Sequence, residues 1–342
     1  MNEVKTTKRF RTAGISVLAA AALLLTGCGA SDTPGTTAPE GDDSGLEQTS
    51  LTFSYSASVQ QLEKVPIHMA LDNLADVGIT SMEETFHQGG EDSVQAVARG
   101  ESDFGVANAP TVFAAIKKGA PIQAIATAYM PAYLVVAPSE VEDVCGLDGK
   151  RVGIHAQISA TTLYTNMALQ QCPTADPEIM IVPGSAARVQ AMMAGQLDAS
   201  AVQFSDWLAM QEQAPGKFNV IFDVAQADLG IIDSVIFTST ATMEQKPNFV
   251  RAFIGTLQDT YASVYDNESE LAKVIEEIVP DTTAEAAAEL AKVSLEDKLW
   301  PADGAFDKTT LETTLKALED SGLLTDETLP TIDECCTSEF LK

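Results

Sequence analysis

His87, His155, Arg188 and Asp206 are the side chains of this sequence best suited to chemistry, in the stretches "MEETFHQGG", "KRVGIHAQIS", "PGSAARVQ" and "ASAVQFSDW". An imidazole can donate to or accept from a bound solute, and a guanidinium can grip a carboxylate or sulfonate through two parallel hydrogen bonds. Neither histidine has a second histidine or a carboxylate at ligand spacing, so no metal site is expected. Hydroxyls, amides and glycines recur around them at Ser56, Ser58, Gln88, Gly89, Gly90, Asn108, Gln157, Ser159, Ser185 and Gln203. Tyr129 and Trp207 are candidates for stacking on a planar ligand. The chain has no G-x-S-x-G elbow, no P-loop, no H-E-x-x-H and no pair of carboxylates that can be placed together. These residue types suit binding rather than bond-making, and call for no cofactor.

The elements that must position these residues are written in a repeating phrase. "ARGESDFGVANAPTVFAA", from Ala98, is echoed by "MAGQLDASAVQFSDWLAM", from Met193. In each, Gly ends a helix, a short turn leads to a strand beginning at Asp103 or Asp198, and the strand's end feeds a new helix. Around these phrases apolar alternation and helical periodicity take turns, which implies βαβ units, parallel sheets and an α/β fold in two similar lobes. After Asp233 one more strand, "SVIFTST", precedes mainly helical sequence that is expected to return to the first lobe. Strand ends that open helices leave backbone N–H groups unsatisfied and partly positive, so two lobes closing on each other suit an anionic or strongly polar solute.

The first residues point to export. Lys5, Lys8, Arg9 and Arg11 precede the apolar run Ile15–Leu25, too short to span a bilayer and read as the core of a signal peptide over residues 1–27. It stops at "LTGC", which resembles a bacterial lipobox with Cys28 as the lipidated residue. Residues 28–50 are Gly, Ser, Thr, Pro and acidic, and are expected to be a disordered tether. Loss of residues 1–27 leaves 16 basic against 48 acidic side chains, a net charge of about −32, which disfavours nucleic acid as a partner. Export permits disulfides. Cys145 precedes one strand and Cys172 ends the helix after it, so a right-handed crossover can bring them together; Cys335 and Cys336 are left either bridged to each other or free.

The lipobox, the tether, "GGEDSVQAVARGESDFGVANAPTVFAAIKKGAPIQAIATAY", "LDGKRVGIHA" and "KPNFVRAFIGTL", in that order, resemble the substrate-binding proteins of ABC importers, in the branch that takes nitrate, sulfonates, taurine and the thiamine pyrimidine precursor. The resemblance implies a type II periplasmic-binding fold, each lobe a mostly parallel sheet flanked by helices, with residues 51–130 and 233–342 in lobe 1 and 131–232 in lobe 2. It also implies crossovers near Tyr129–Tyr133 and Leu229–Asp233. The expected protein is no enzyme but a monomeric lipoprotein on the extracytoplasmic face of the cell membrane. It would capture a small organic anion and hand it to a permease with its ATPase. A neutral pyrimidine as ligand, or solute sensing without transport, are the alternatives.

Overall fold

The computed structural model describes residues 45–342 except Asp228. The leader, Cys28 and most of the expected tether lie outside the described residues. Two five-stranded sheets organise the chain. The first begins β1 (Ser50–Tyr55), α1 (Val65–Asp72), β2 (Ser81–Phe86), α2 (Gly90–Ala98), β3 (Phe104–Asn108), α3 (Ala109–Lys117), β4 (Ile122–Tyr129). The second follows as β5 (Tyr133–Pro138), β6 (Arg151–Ile154), α4 (Ala160–Leu169), β7 (Glu178–Ile181), α5 (Ser185–Met193), β8 (Ala199–Gln203), α6 (Phe204–Gln213), β9 (Phe218–Asp223). The chain then returns to the first sheet as β10 (Ser234–Ser239) and closes with α7 (Thr240–Gln245), α8 (Pro247–Ser263), α9 (Glu268–Ile278), α10 (Ala284–Glu296), α11 (Lys308–Asp320) and the single turn α12 (Ile332–Cys335).

The strand orders are β2-β1-β3-β10-β4 and β7-β6-β8-β5-β9, the same pattern twice. The sheets are mixed, where parallel pairing was expected to dominate. β1 pairs with β2 and β3, and β6 with β7 and β8, in parallel, but β10 and β5 run antiparallel to both of their neighbours. These two strands enter directly from the other sheet, without the helical crossover that a parallel connection requires.

The echoed phrase holds these sheets together at their amino ends. Gly100 and Gly195 sit at φ 72° and φ 69°, the left-handed region open to glycine, and turn the chain out of α2 and α5. Three residues on, Asp103 accepts from the Thr52 backbone N–H of β1 at 3.0 Å, and Asp198 from the Arg151 N–H of β6 at 2.9 Å. Each carboxylate also meets a cation at 3.0 Å, Lys246 and Arg151 respectively. The repeated Asp is a strand clip, which explains why the phrase is written twice without a reactive group.

Apolar packing covers both sheets. Phe53, Phe104, Phe249, Phe253, Tyr261 and Trp300 share one buried core, with Phe104 and Phe253 stacked at 4.2 Å between ring centroids. A second core runs from Phe113 beside the first sheet to Val135 and Tyr164 of the second, and includes Leu311, Leu315 and Leu318 of α11. The C-terminal helices therefore do not all serve the first lobe: Asn166 and Gln170 of α4 donate to the carbonyls of Ser321 and Asp320 at 3.0 and 2.9 Å, at the end of α11. The tether also ends earlier than expected. Glu47 accepts from the backbone N–H of Asn248 and Phe249 at 3.3 and 3.0 Å, capping α8, whose own N-cap residue Lys246 has no acceptor side chain. Cys145 and Cys172 are joined in a disulfide with Cα atoms 5.3 Å apart.

Candidate binding cleft

A cavity of about 650 Å³ opens between the carboxyl ends of the strands of the two sheets. The first sheet contributes Ser56 and Ser58 after β1, Gln88 and Gly90 after β2, Asn108 at the end of β3 and Tyr129 at the end of β4. The second contributes His155 and Ser159 after β6, Ser185 and Arg188 after β7, and Gln203 and Asp206 at the end of β8. Four sequence candidates stand apart from the lining. The Gln157 side chain is exposed outside the lining. His87 turns away, its Nε2 buried without a partner. Gly89 is outside the lining but faces the ring of His155, which lines it. Trp207 packs in a small core with Leu134, Met192 and Met210.

The helix starts around the cavity are unequal. Ser159 caps α4 by accepting from the Thr162 N–H at 3.4 Å, so that helix end is spent. At α2, α3, α5 and α6 the residue before the helix makes no side-chain cap. α2 carries Glu91 and Asp92 in its first turn and α6 carries Asp206, which offset the positive helix end. At α3 the first N–H is already held by the Asp233 carbonyl at 2.8 Å, and Pro110 supplies none. α5 has neither a side-chain cap nor an acidic residue in its own first turn, and the Asp206 carboxylate of α6 reaches its first residue, Ser185.

Arg188 stands one turn into that helix. It is 3% exposed, its Nε has no hydrogen-bond partner, and its Nη1 donates to the Val182 carbonyl at 3.4 Å. Burial holds its guanidinium below the usual arginine range, opposed by Tyr133 and Asp206. His155 beside it accepts from the Gly184 N–H through Nδ1 at 3.1 Å. Burial, with the Arg188 charge, pulls its pKa down, so the ring is neutral and its proton sits on Nε2. Asp206 accepts from the Ser185 hydroxyl, and burial raises its pKa.

Two lining residues, Lys64 and Gln61, carried no readable signal in the sequence. Lys64 is 1% exposed and donates to the Gln61 side chain, while burial lowers its pKa against the opposing effect of Glu63. Gln61 in turn donates to Gln203 Oε1 at 2.9 Å, a bond from one lobe to the other. Thr111 Oγ1 donates to the Ile158 carbonyl at 3.4 Å across the same gap. Asp233, at the entry to β10, accepts from Tyr164 at 2.5 Å, Asn108 at 3.1 Å and Ser234 at 2.8 Å. Gln61 precedes and Lys64 ends a single 3-10 turn, Leu62–Lys64, between β1 and α1, too short for spacing to mark a face. Among the described residues no group of three His, Cys, Asp or Glu side chains is placed to hold a metal ion, and no helix is long and apolar enough to cross a membrane.

The family pattern described as NMT1/THI5 like matches residues 76–270, more than half of the chain. The protein belongs to the NMT1/THI5-like family. No curated protein sequence matches it. Among solved structures, it is similar to the ligand-binding component of an ABC-type import system from Staphylococcus aureus, at 12% identity and a TM-score of 0.72 over 86% of this chain and 98% of that one. The alkanesulfonate-binding protein of Xanthomonas axonopodis pv. citri, bound to MOPS, is 18% identical with a TM-score of 0.67 over 83% and 96%. The periplasmic nitrate-binding protein of Synechocystis is 12% identical with a TM-score of 0.67 over 86% and 88%. These likenesses fix the fold of this NMT1/THI5-like chain as that of the periplasmic binding proteins, with its cleft between the lobes.

Proposed function

We propose that the protein captures a small organic anion, of the carboxylate or sulfonate class, and delivers it to the permease of an ABC importer. It does so as a monomer held on the extracytoplasmic face of the cell membrane by lipid on Cys28. The observation that carries the ligand class is Arg188: a buried guanidinium lining the cavity one turn into α5, whose Nε has no hydrogen-bond partner. A buried cation without a partner is costly, and an anion that enters supplies the missing acceptors. Neutral His155 supplies a further N–H donor, and Ser56, Ser58, Asn108 and Gln203 supply orienting groups. A cavity of about 650 Å³ is large for a four-atom ion such as nitrate and falls in the range of about 300 to 1,000 Å³ that encloses larger organic molecules. The alkanesulfonate-binding protein bound to MOPS, and the ligand-binding component of an ABC-type import system, support the same reading by analogy of fold.

Thermal unfolding of the purified protein against alkyl and aryl carboxylates and sulfonates, nitrate and neutral pyrimidines tests the ligand class. A true ligand at ~100 times its Kd adds about 2.7 kcal/mol. Organic anions are expected to raise Tm; a rise with a neutral pyrimidine and none with any anion would overturn the reading. For the anchor, Cys28→Ser is expected to move the protein out of the membrane fraction, because stable anchoring needs more than one acyl chain and this variant has none.

A further inference from the structure

Cys335 and Cys336 play no part in the cleft. Both are buried, and their Sγ atoms lie 2.8 Å apart, well inside the contact distance of two unbonded sulfurs. The segment around them is fastened on every side. Thr331 and Glu334 form a capping box that starts α12. Glu334 pairs with Lys117 of α3 at 3.3 Å, and Gln123 of β4 donates to the Asp333 carbonyl at 3.2 Å. β4 is an edge strand of the first sheet. Its outer side is met by Cys336, bridged in parallel to Ala124, and by the Thr337 N–H, which donates to the Ala124 carbonyl at 3.0 Å. The tail thus covers a sheet edge that would otherwise offer unpaired backbone groups to another chain, and the adjacent cysteines form the corner where it turns from α12 onto that edge.

We infer that Cys335 and Cys336 are a site of oxidative modification, joined in the exported protein as a disulfide between neighbours in sequence that locks the C-terminal tail along β4. The reaction is thiol–disulfide exchange with a disulfide-bearing oxidant of the extracytoplasmic space. One cysteine thiolate attacks a sulfur of the oxidant, forming a mixed disulfide and releasing a thiolate. The second cysteine, after losing its proton, displaces the remaining oxidant sulfur. Two electrons and two protons leave with the oxidant as a dithiol, and one S–S bond is left in the protein. In the folded chain both thiols are buried, out of reach of an oxidant, and burial pushes the Cys336 thiol up. Oxidation therefore precedes docking of the tail on the sheet, and docking then shields the bond.

The inference rests on export of the chain, and peptide mapping separates the two. The full-length protein, made in an exporting bacterium, is quenched in acid, alkylated under denaturing conditions without reductant and digested with trypsin. Residues 317–342 form one peptide whose only cysteines are Cys335 and Cys336. The expected result is a peptide without label and about 2 Da lighter than the dithiol form, the mass of the two hydrogens lost. Two labels on this peptide, or a mixed disulfide at either cysteine, overturn the inference. Cys145 and Cys172 report on export in the same digest: if they are linked while the tail carries two labels, the tail bond alone fails; if all four are labelled, export fails with it. In the Cys335→Ser/Cys336→Ser double variant, backbone amides around Ala124 and Thr337 are expected to exchange at least tenfold faster than in the parent, with β6 and β8 unchanged. Equal exchange at Ala124 and Thr337 would overturn the locking role.

Discussion

Arg188 and Glu63 are buried charges with opposite consequences. Replacing Arg188 by Met removes the cation that an anionic ligand would meet, and a hydrogen bond to a charged group contributes about 1.5 to 3 kcal/mol, so Kd should rise by ~10- to 100-fold. Because the guanidinium's hydrogen-bond acceptor within the protein is the Val182 carbonyl, thermal stability without ligand should stay level or increase; a large loss would mean that Arg188 is a structural residue. Glu63 is 2% exposed with Oε2 unpartnered, and burial raises its pKa to about 7 against the opposing effect of Lys64. The folded chain therefore binds a proton that the unfolded chain, with an ordinary carboxyl of 4.5, has lost. The stability this group confers is fully present below pH 4.5 and is lost as pH rises through about 7, a difference of about 3 kcal/mol. Glu63→Gln should match the parent near pH 4.5 and be the more stable of the two at pH 8, in urea denaturation at each pH. Arg188 was legible because it opens a helix after a glycine turn. Glu63 and Lys64 were not, because a Glu-Lys dipeptide in a loop is on base rates a solvated pair.

At the scale of elements, the strands and helices of both βαβ runs follow from periodicity and glycine stops. The pairing direction of β5 and β10 was not legible, since an apolar strand reads alike in either direction and only its partners decide. The docking of α11 on α4 escaped for the same reason: its Leu stripe marks a buried face without naming the neighbour. The disulfide is where sequence order and crossover handedness together pointed to one contact. Cys145 and Cys172 are 27 residues apart, and a cross-link over such a loop stabilises by about 3 to 4 kcal/mol. The Cys145→Ser/Cys172→Ser double variant is expected to lose about that much in urea denaturation of the second lobe; a loss below about 1 kcal/mol would show that the native geometry opposes the cross-link.

Across the whole molecule, the lobes already touch. Gln61 reaches Gln203, Thr111 reaches Ile158, and Gly89 faces the His155 ring. Gly89 has φ −161°, extended backbone that any residue adopts, so its value is space: a Cβ there would stand 2.9 Å from His155 Nε2. Gly89→Ala should hold the lobes apart or push the ring aside and weaken ligand binding by ~10-fold, about 1.4 kcal/mol. In a His155→Ala background the same change should cost under about twofold, a coupling that a double-mutant cycle on Kd measures. Equal costs in both backgrounds would place the effect outside this contact.

The α/β class, the doubled phrase, the helix starts and most of the cleft's polar groups were written locally. Each depends on residues within a few positions of one another, where periodicity, caps and glycine turns act. The tertiary structure alone decided which of those helix starts remain open, which charges are buried, and where Lys64, Gln61, Glu63 and the C-terminal tail come to lie. Those outcomes depend on desolvation and on contacts between residues far apart in the chain, such as Gln61 with Gln203 and Ala124 with Cys336. No local pattern encodes them, because the free energy of a buried charge or an uncapped helix is set by what the rest of the fold places beside it.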